Sequence, residues 1–135
     1  NTKAQGLLLT WMVEETGLFH KISQYISPEN FTKGFYRDVA TKIFEKLEVG
    51  DTGFSNIFDD YTEDIEKHKL LSKILNTTLG TNLSDGAKKK AIAESILKIR
   101  QSSLNEKSKN AVGMEEFQRV IEEQAYLRKL HIDLG

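Results

Sequence analysis

Apolar residues in this chain recur at spacings of three and four, and strict alternation of apolar with polar positions is scarce, so the pattern predicts helices throughout. Leu7, Leu8, Trp11 and Met12, with Leu9 and Val13 filling the gaps, mark a first helix over 4–16 that is apolar nearly all round. Such a helix belongs at the centre of a bundle. Gly17 ends it, and Leu18, Phe19, Ile22, Tyr25 and Ile26 predict a second, shorter helix. Ser27-Pro28-Glu29-Asn30 reads as a turn with proline at its favoured first helical position. A third helix over 32–48 has Phe35, Tyr36, Val39, Ala40, Ile43, Phe44 and Leu47 at the right spacing.

Gly50-Asp51-Thr52-Gly53 breaks the pattern. A short helix over 54–60 follows, and Thr62 with Glu63 and Asp64 opens another, whose inward face is Ile65, Leu70, Leu71, Ile74 and Leu75. After a loop at 77–83, Ser84 and Asp85 cap a long helix through Ala91, Ile92, Ile96, Leu97 and Ile99. Beyond Arg100 its apolar pattern fades to Leu104 alone, and nothing breaks helicity until Gly113. The fold class is therefore all-α, a helical bundle over 1–100 followed by a C-terminal helical hairpin over 101–135.

Read as one helix, 114–135 is greasy on two sides. At about 100° per residue, Met114, Phe117, Ile121, Ala125 and Ile132 gather on one face, and Val120, Tyr126, Leu127, Leu130 and Leu134 on nearly the opposite one. The preceding stretch offers only Leu104, so one face is expected to pair within the hairpin and the other to meet a partner. Leu104, Phe117 and Ile121 are assigned to hairpin packing. Val120, Tyr126, Leu127, Leu130, His131 and Leu134 are assigned to partner binding, with Arg128 and Lys129 as rim charges.

Composition narrows the chemistry. The 135 residues suit one ordinary domain, and 19 basic against 20 acidic side chains supply no global drive toward nucleic acid. Zero cysteines exclude disulfides, thiolate zinc sites and cysteine nucleophiles, and fit a reducing cytoplasm. The longest apolar run is far short of the roughly 20 residues that span a bilayer, and no signal peptide is readable. The first residue is Asn1 rather than Met, as expected of a piece of a longer protein.

Each candidate site outside the terminal helix resolves into core or solvated surface. His20, His68 and His131 lie far apart and form no metal-binding spacing. Asp59, Asp60, Glu63 and Asp64 lack the spaced oxygens and central glycine of a calcium loop, and suit a helix start. Lys88, Lys89 and Lys90 fan around a helix rather than forming a patch, and no phosphate-binding or nucleophile motif is present. Trp11, Phe19, Tyr25, Phe31, Phe35, Tyr36 and Phe44 at helical spacing read as core. No catalytic residue, metal or cofactor is assigned.

The segments AQGLLLTWMV, SPENF, FYRDVATKIFEKL, HKLLSKIL, AIAESILKIR and QAYLRKL together resemble the C-terminal helicase-binding domain of bacterial replicative primases of the DnaG type, over essentially the whole chain. The alternative is the N-terminal domain of the replicative helicase itself, which shares this bundle type, or another all-helical docking module. The helicase pattern tends to have Tyr after the Phe where this chain has Phe31-Thr32, and Tyr36-Arg37 comes later, closer to the primase pattern. The resemblance implies a non-enzymatic domain of a primer-synthesising nucleotidyltransferase, whose zinc and polymerising domains would lie upstream. It would tether primase to the N-terminal domain of the helicase in the primosome, for RNA primer synthesis at the replication fork, and modulate helicase activity. Neither direct nucleic-acid binding nor membrane association is expected. A small enzyme would instead need a convergent polar pocket, and a nucleic-acid module would show steep salt dependence.

Overall fold

A computed structural model describes residues 2–135, and among these there are six α-helices, three 3₁₀ turns and no strand. The fold is all-α: a bundle extended by C-terminal helices. Helix α1 (Thr2–Glu14) is the axis, because its near-continuous apolar sequence buries Leu8, Leu9, Trp11 and Met12 and leaves little surface polar. It packs against α3 (Phe35–Glu48), α4 (Ile65–Asn76) and α5 (Asp85–Asn110). Phe19, Phe31 and Phe44 meet edge to face beside it, with Phe44 5.4 Å from Phe19 and 6.4 Å from Phe31 between ring centroids.

The second expected helix is cut to a single turn, α2 (Phe19–Ile22), flanked by the 3₁₀ turn Thr16–Leu18 and by a non-helical stretch. That stretch is held elsewhere: the Tyr25 carbonyl accepts a 2.5 Å hydrogen bond from Arg100 of α5. The Pro28–Asn30 turn has the expected proline start, and Asn30 Oδ1 accepts from Ser27 N at 2.9 Å. Helix α3 begins three residues later than its spacing predicts. Thr32 is taken out of the helix by buried Gln5, whose Nε2 donates to Thr32 Oγ1 at 2.7 Å and whose Oε1 accepts from Thr32 N at 2.9 Å. Arg37 Nε donates to the Phe31 carbonyl at 3.1 Å and pins the same turn. Gln5→Ala is expected to cost about 1–2 kcal/mol, because it unpairs groups at the α1–α3 junction. A urea denaturation curve measures it, and an unchanged midpoint would mean that water replaces the amide without loss.

Capping chemistry sets the remaining starts. Asp64 accepts from Lys67 N at 3.1 Å and caps α4, and Ser84 accepts from Ala87 N at 3.1 Å and caps α5. The segment expected as a short helix is a 3₁₀ turn, Ser55–Tyr61, that buries Ile57 and Tyr61. Glu14, at the end of α1, takes the backbone N–H groups of Leu79 and Gly80 at 2.7 and 2.9 Å and so seats the α4–α5 loop. Its neighbour Glu15 accepts from Lys88 at 2.8 Å, which raises the Lys88 pKa above the ordinary lysine value.

Helix α5 runs 26 residues, about 39 Å, without interruption through residue 100. The buried apolar residues divide along it: Ile92, Ile96 and Ile99 belong to the bundle core, whereas Leu104 joins a separate cluster with Val120 and Leu127. Gly113 turns the chain with φ +82°, a conformation side chains other than glycine rarely adopt, and α6 (Gly113–Lys129) returns along α5.

Candidate docking site on the terminal hairpin

The expected single helix over 114–135 ends at Lys129, and residues 130–135 form a non-helical tail. Leu130, Ile132 and Leu134 alternate with exposed His131, Asp133 and Gly135, so the apolar side chains all turn inward. Leu134 is 3 % exposed and lies in the bundle core, with Ile132 packed against that core. Tyr25 Oη accepts from Asp133 N at 3.1 Å and donates to the Asp133 carbonyl at 3.3 Å, and Lys89 Nζ donates to the Gly135 carbonyl at 3.2 Å. The tail is thus a strap that returns the hairpin to the bundle.

With the tail removed from the helix, α6 has a different division of faces. Val120 and Leu127, two turns apart on one line, close on Leu104 at 7 % and 8 % exposure, and Leu130 packs beside them. Phe117 and Ile121, expected to hold the hairpin, are instead 48 % and 56 % exposed, and Met114 is 86 % exposed. The roles assigned from spacing are therefore exchanged for these residues. Leu104 alone keeps its hairpin position, while Val120, Leu127 and Leu134 are buried within the chain and offer no free surface.

Two polar contacts accompany this rotation of α6, alongside the buried Leu104, Val120 and Leu127. Lys107 Nζ lies 3.6 Å from Glu123 Oε1 across the hairpin, and the Arg100 guanidinium lies 5.8 Å from the half-exposed Tyr126 ring. Arg128, Lys129 and His131 are exposed at the C-terminal end of the helix.

Other surfaces are less directed. A cleft of about 430 Å³ beside the hairpin seam is lined by Leu104 and Val120 together with Lys107, Glu116, Arg119 and Glu123. Both signs of charge line it, so it selects no single class of ion. A groove of about 160 Å³ between α1 and α4 is bordered by Leu7, Tyr36, Leu70 and Ile74.

The remaining sequence candidates are dispersed. His20, His68 and His131 are exposed on separate segments, and His68 stacks on Phe58 with 4.8 Å between centroids. No group of three metal-ligating side chains occurs among the described residues. Asp60 pairs with Lys42, Asp64 caps α4, and Lys88 and Lys89 pair with Glu15 and Asp85. No helix among the described residues is long and apolar enough to cross a membrane. Comparison with family models, curated proteins and solved structures finds no match to this chain.

Proposed function

We propose that this chain is the helicase-interaction domain of a bacterial DNA primase, a non-catalytic module that docks on the N-terminal domain of the replicative helicase. The observation that supports it is a solvent-facing apolar stripe, Met114, Phe117 and Ile121, on a hairpin whose own seam is already closed by Leu104, Val120 and Leu127. Side chains of that size left in water on a helix face are the usual material of a partner surface. The sequence resemblance to DnaG-type primases supplies the partner. Arg128 and Lys129 extend the stripe as rim charges that would steer the approach and set the salt dependence.

In this reading the domain acts by effective concentration. Holding the primase at the helicase turns a bimolecular encounter at the fork into an intramolecular one, and occupation of the helicase N-terminal domain in turn modulates the helicase. The domain makes no primers itself.

Titration with the helicase N-terminal domain tests the reading. Phe117→Ala together with Ile121→Ala is expected to raise Kd about thirtyfold, about 2 kcal/mol. Both positions are exposed, so the melting temperature should hardly move. Wild-type affinity in the folded double variant would overturn the assignment of the surface, and no binding by the unaltered chain would overturn the proposed function.

A further inference from the structure

The stripe on α6 is self-complementary when two copies are laid antiparallel. Met114, Phe117, Ile121, Ala125 and Arg128 follow one another at steps of three and four along one side of the helix. With a two-fold axis at Ile121, each bulky Phe117 faces the small Ala125 of the other copy, and Met114 lies on the aliphatic stem of Arg128. Glu115 and Lys129, about four turns apart on the same flank, then face each other across the contact twice.

The charges agree with that direction. Glu115 and Glu116 occupy the first turn of α6, and Arg128 and Lys129 the last. Antiparallel pairing brings acidic starts onto basic ends and opposes the helix dipoles, while parallel pairing sets like charges together. Glu115, Arg128 and Lys129 form no ion pair among the described residues, so they are available for the contact.

We propose that the occupant of this face in the free protein is a second copy of the chain, paired antiparallel through α6 about Ile121. One stripe of this length buries less than the roughly 1,200 Å² of a stable interface, so the dimer is weak, with a dissociation constant on the order of 100 µM. It covers Phe117 and Ile121, so pairing and partner docking exclude each other. That consequence rests on the docking reading above, whereas the pairing does not.

Sedimentation equilibrium over micromolar to millimolar chain concentration, with no helicase present, tests the pairing. A reversible monomer–dimer equilibrium is expected, and Ile121→Asp, which sets two carboxylates at the axis, should abolish it. Glu115→Lys should raise the dimer dissociation constant about tenfold, and adding Lys129→Glu should restore it. A chain monomeric throughout, a dimer that survives Ile121→Asp, or a double variant no better than the single one would overturn the pairing. Failure of helicase titration with the dimer intact would remove only the docking reading.

Discussion

Leu134→Ala is expected to lower the stability of the whole domain by about 3 kcal/mol, although residue 134 lies beyond the last helix. Its side chain is 3 % exposed among bundle residues, so truncation removes transfer energy and leaves a void that a packed interior only partly closes. For a chain of this size the melting temperature should fall by about 10 °C. Calorimetry and urea titration measure the loss. Tyr25→Phe, which removes both hydrogen bonds to the Asp133 backbone, should cost less, about 1 kcal/mol. A Leu134→Ala variant within a few tenths of a kcal/mol of the parent (well under the value expected for burial) would mean that the strap does not share the bundle's core.

Leu104→Ala should act differently. Leu104 is fully buried, yet its cluster holds only Val120 and Leu127 with Leu130 beside them, apart from the main core. Losing it removes the centre of the seam, at about 3 kcal/mol, but most of that is expected as local opening. Amide exchange along the middle of α6 should speed up about a hundredfold, while α1 and α3 amides keep their protection. Equal acceleration in α1 would show that hairpin and bundle unfold as one unit. The contrast with Leu134 follows from placement: one leucine closes a two-helix contact, the other plugs the bundle.

The helical segments were legible because their apolar spacing and their caps agree. Ser84 caps α5 as its residue type suggests, whereas α4 starts at Ile65, three residues beyond Thr62, with Asp64 as its cap rather than in its first turn. Trp11, Phe19, Phe31 and Phe44 are buried as helical spacing implies. The second helix and the start of α3 were legible only in part, because Gln5 and Arg100 claim backbone groups of Thr32 and Tyr25 from far along the chain. Long-range hydrogen bonds of that kind leave no local periodicity.

The terminal segment fits two periodicities at once. Leu130 and Leu134 are four apart, which suits a helix, and Leu130, Ile132 and Leu134 are two apart, which suits an extended strap. Both periods fit so short a run. The alternation Leu-His-Ile-Asp-Leu-Gly was the available signal, and it weighs more where no helix-stabilising partner lies ahead.

Apolar spacing alone carries the all-helical character, the breaks between helices, a bundle built around α1, and a terminal hairpin with more apolar surface than its own seam can use. Which side of α6 is buried depends on contacts across the fold. The helix has apolar side chains on more than one face, so periodicity leaves its rotation undetermined. The rotation goes with Val120 and Leu127 closing on Leu104 and with Leu134 reaching the core, burials that outweigh the partly exposed Lys107–Glu123 and Arg100–Tyr126 contacts. These contacts join residues distant in sequence, and they turn Phe117 and Ile121 to the solvent.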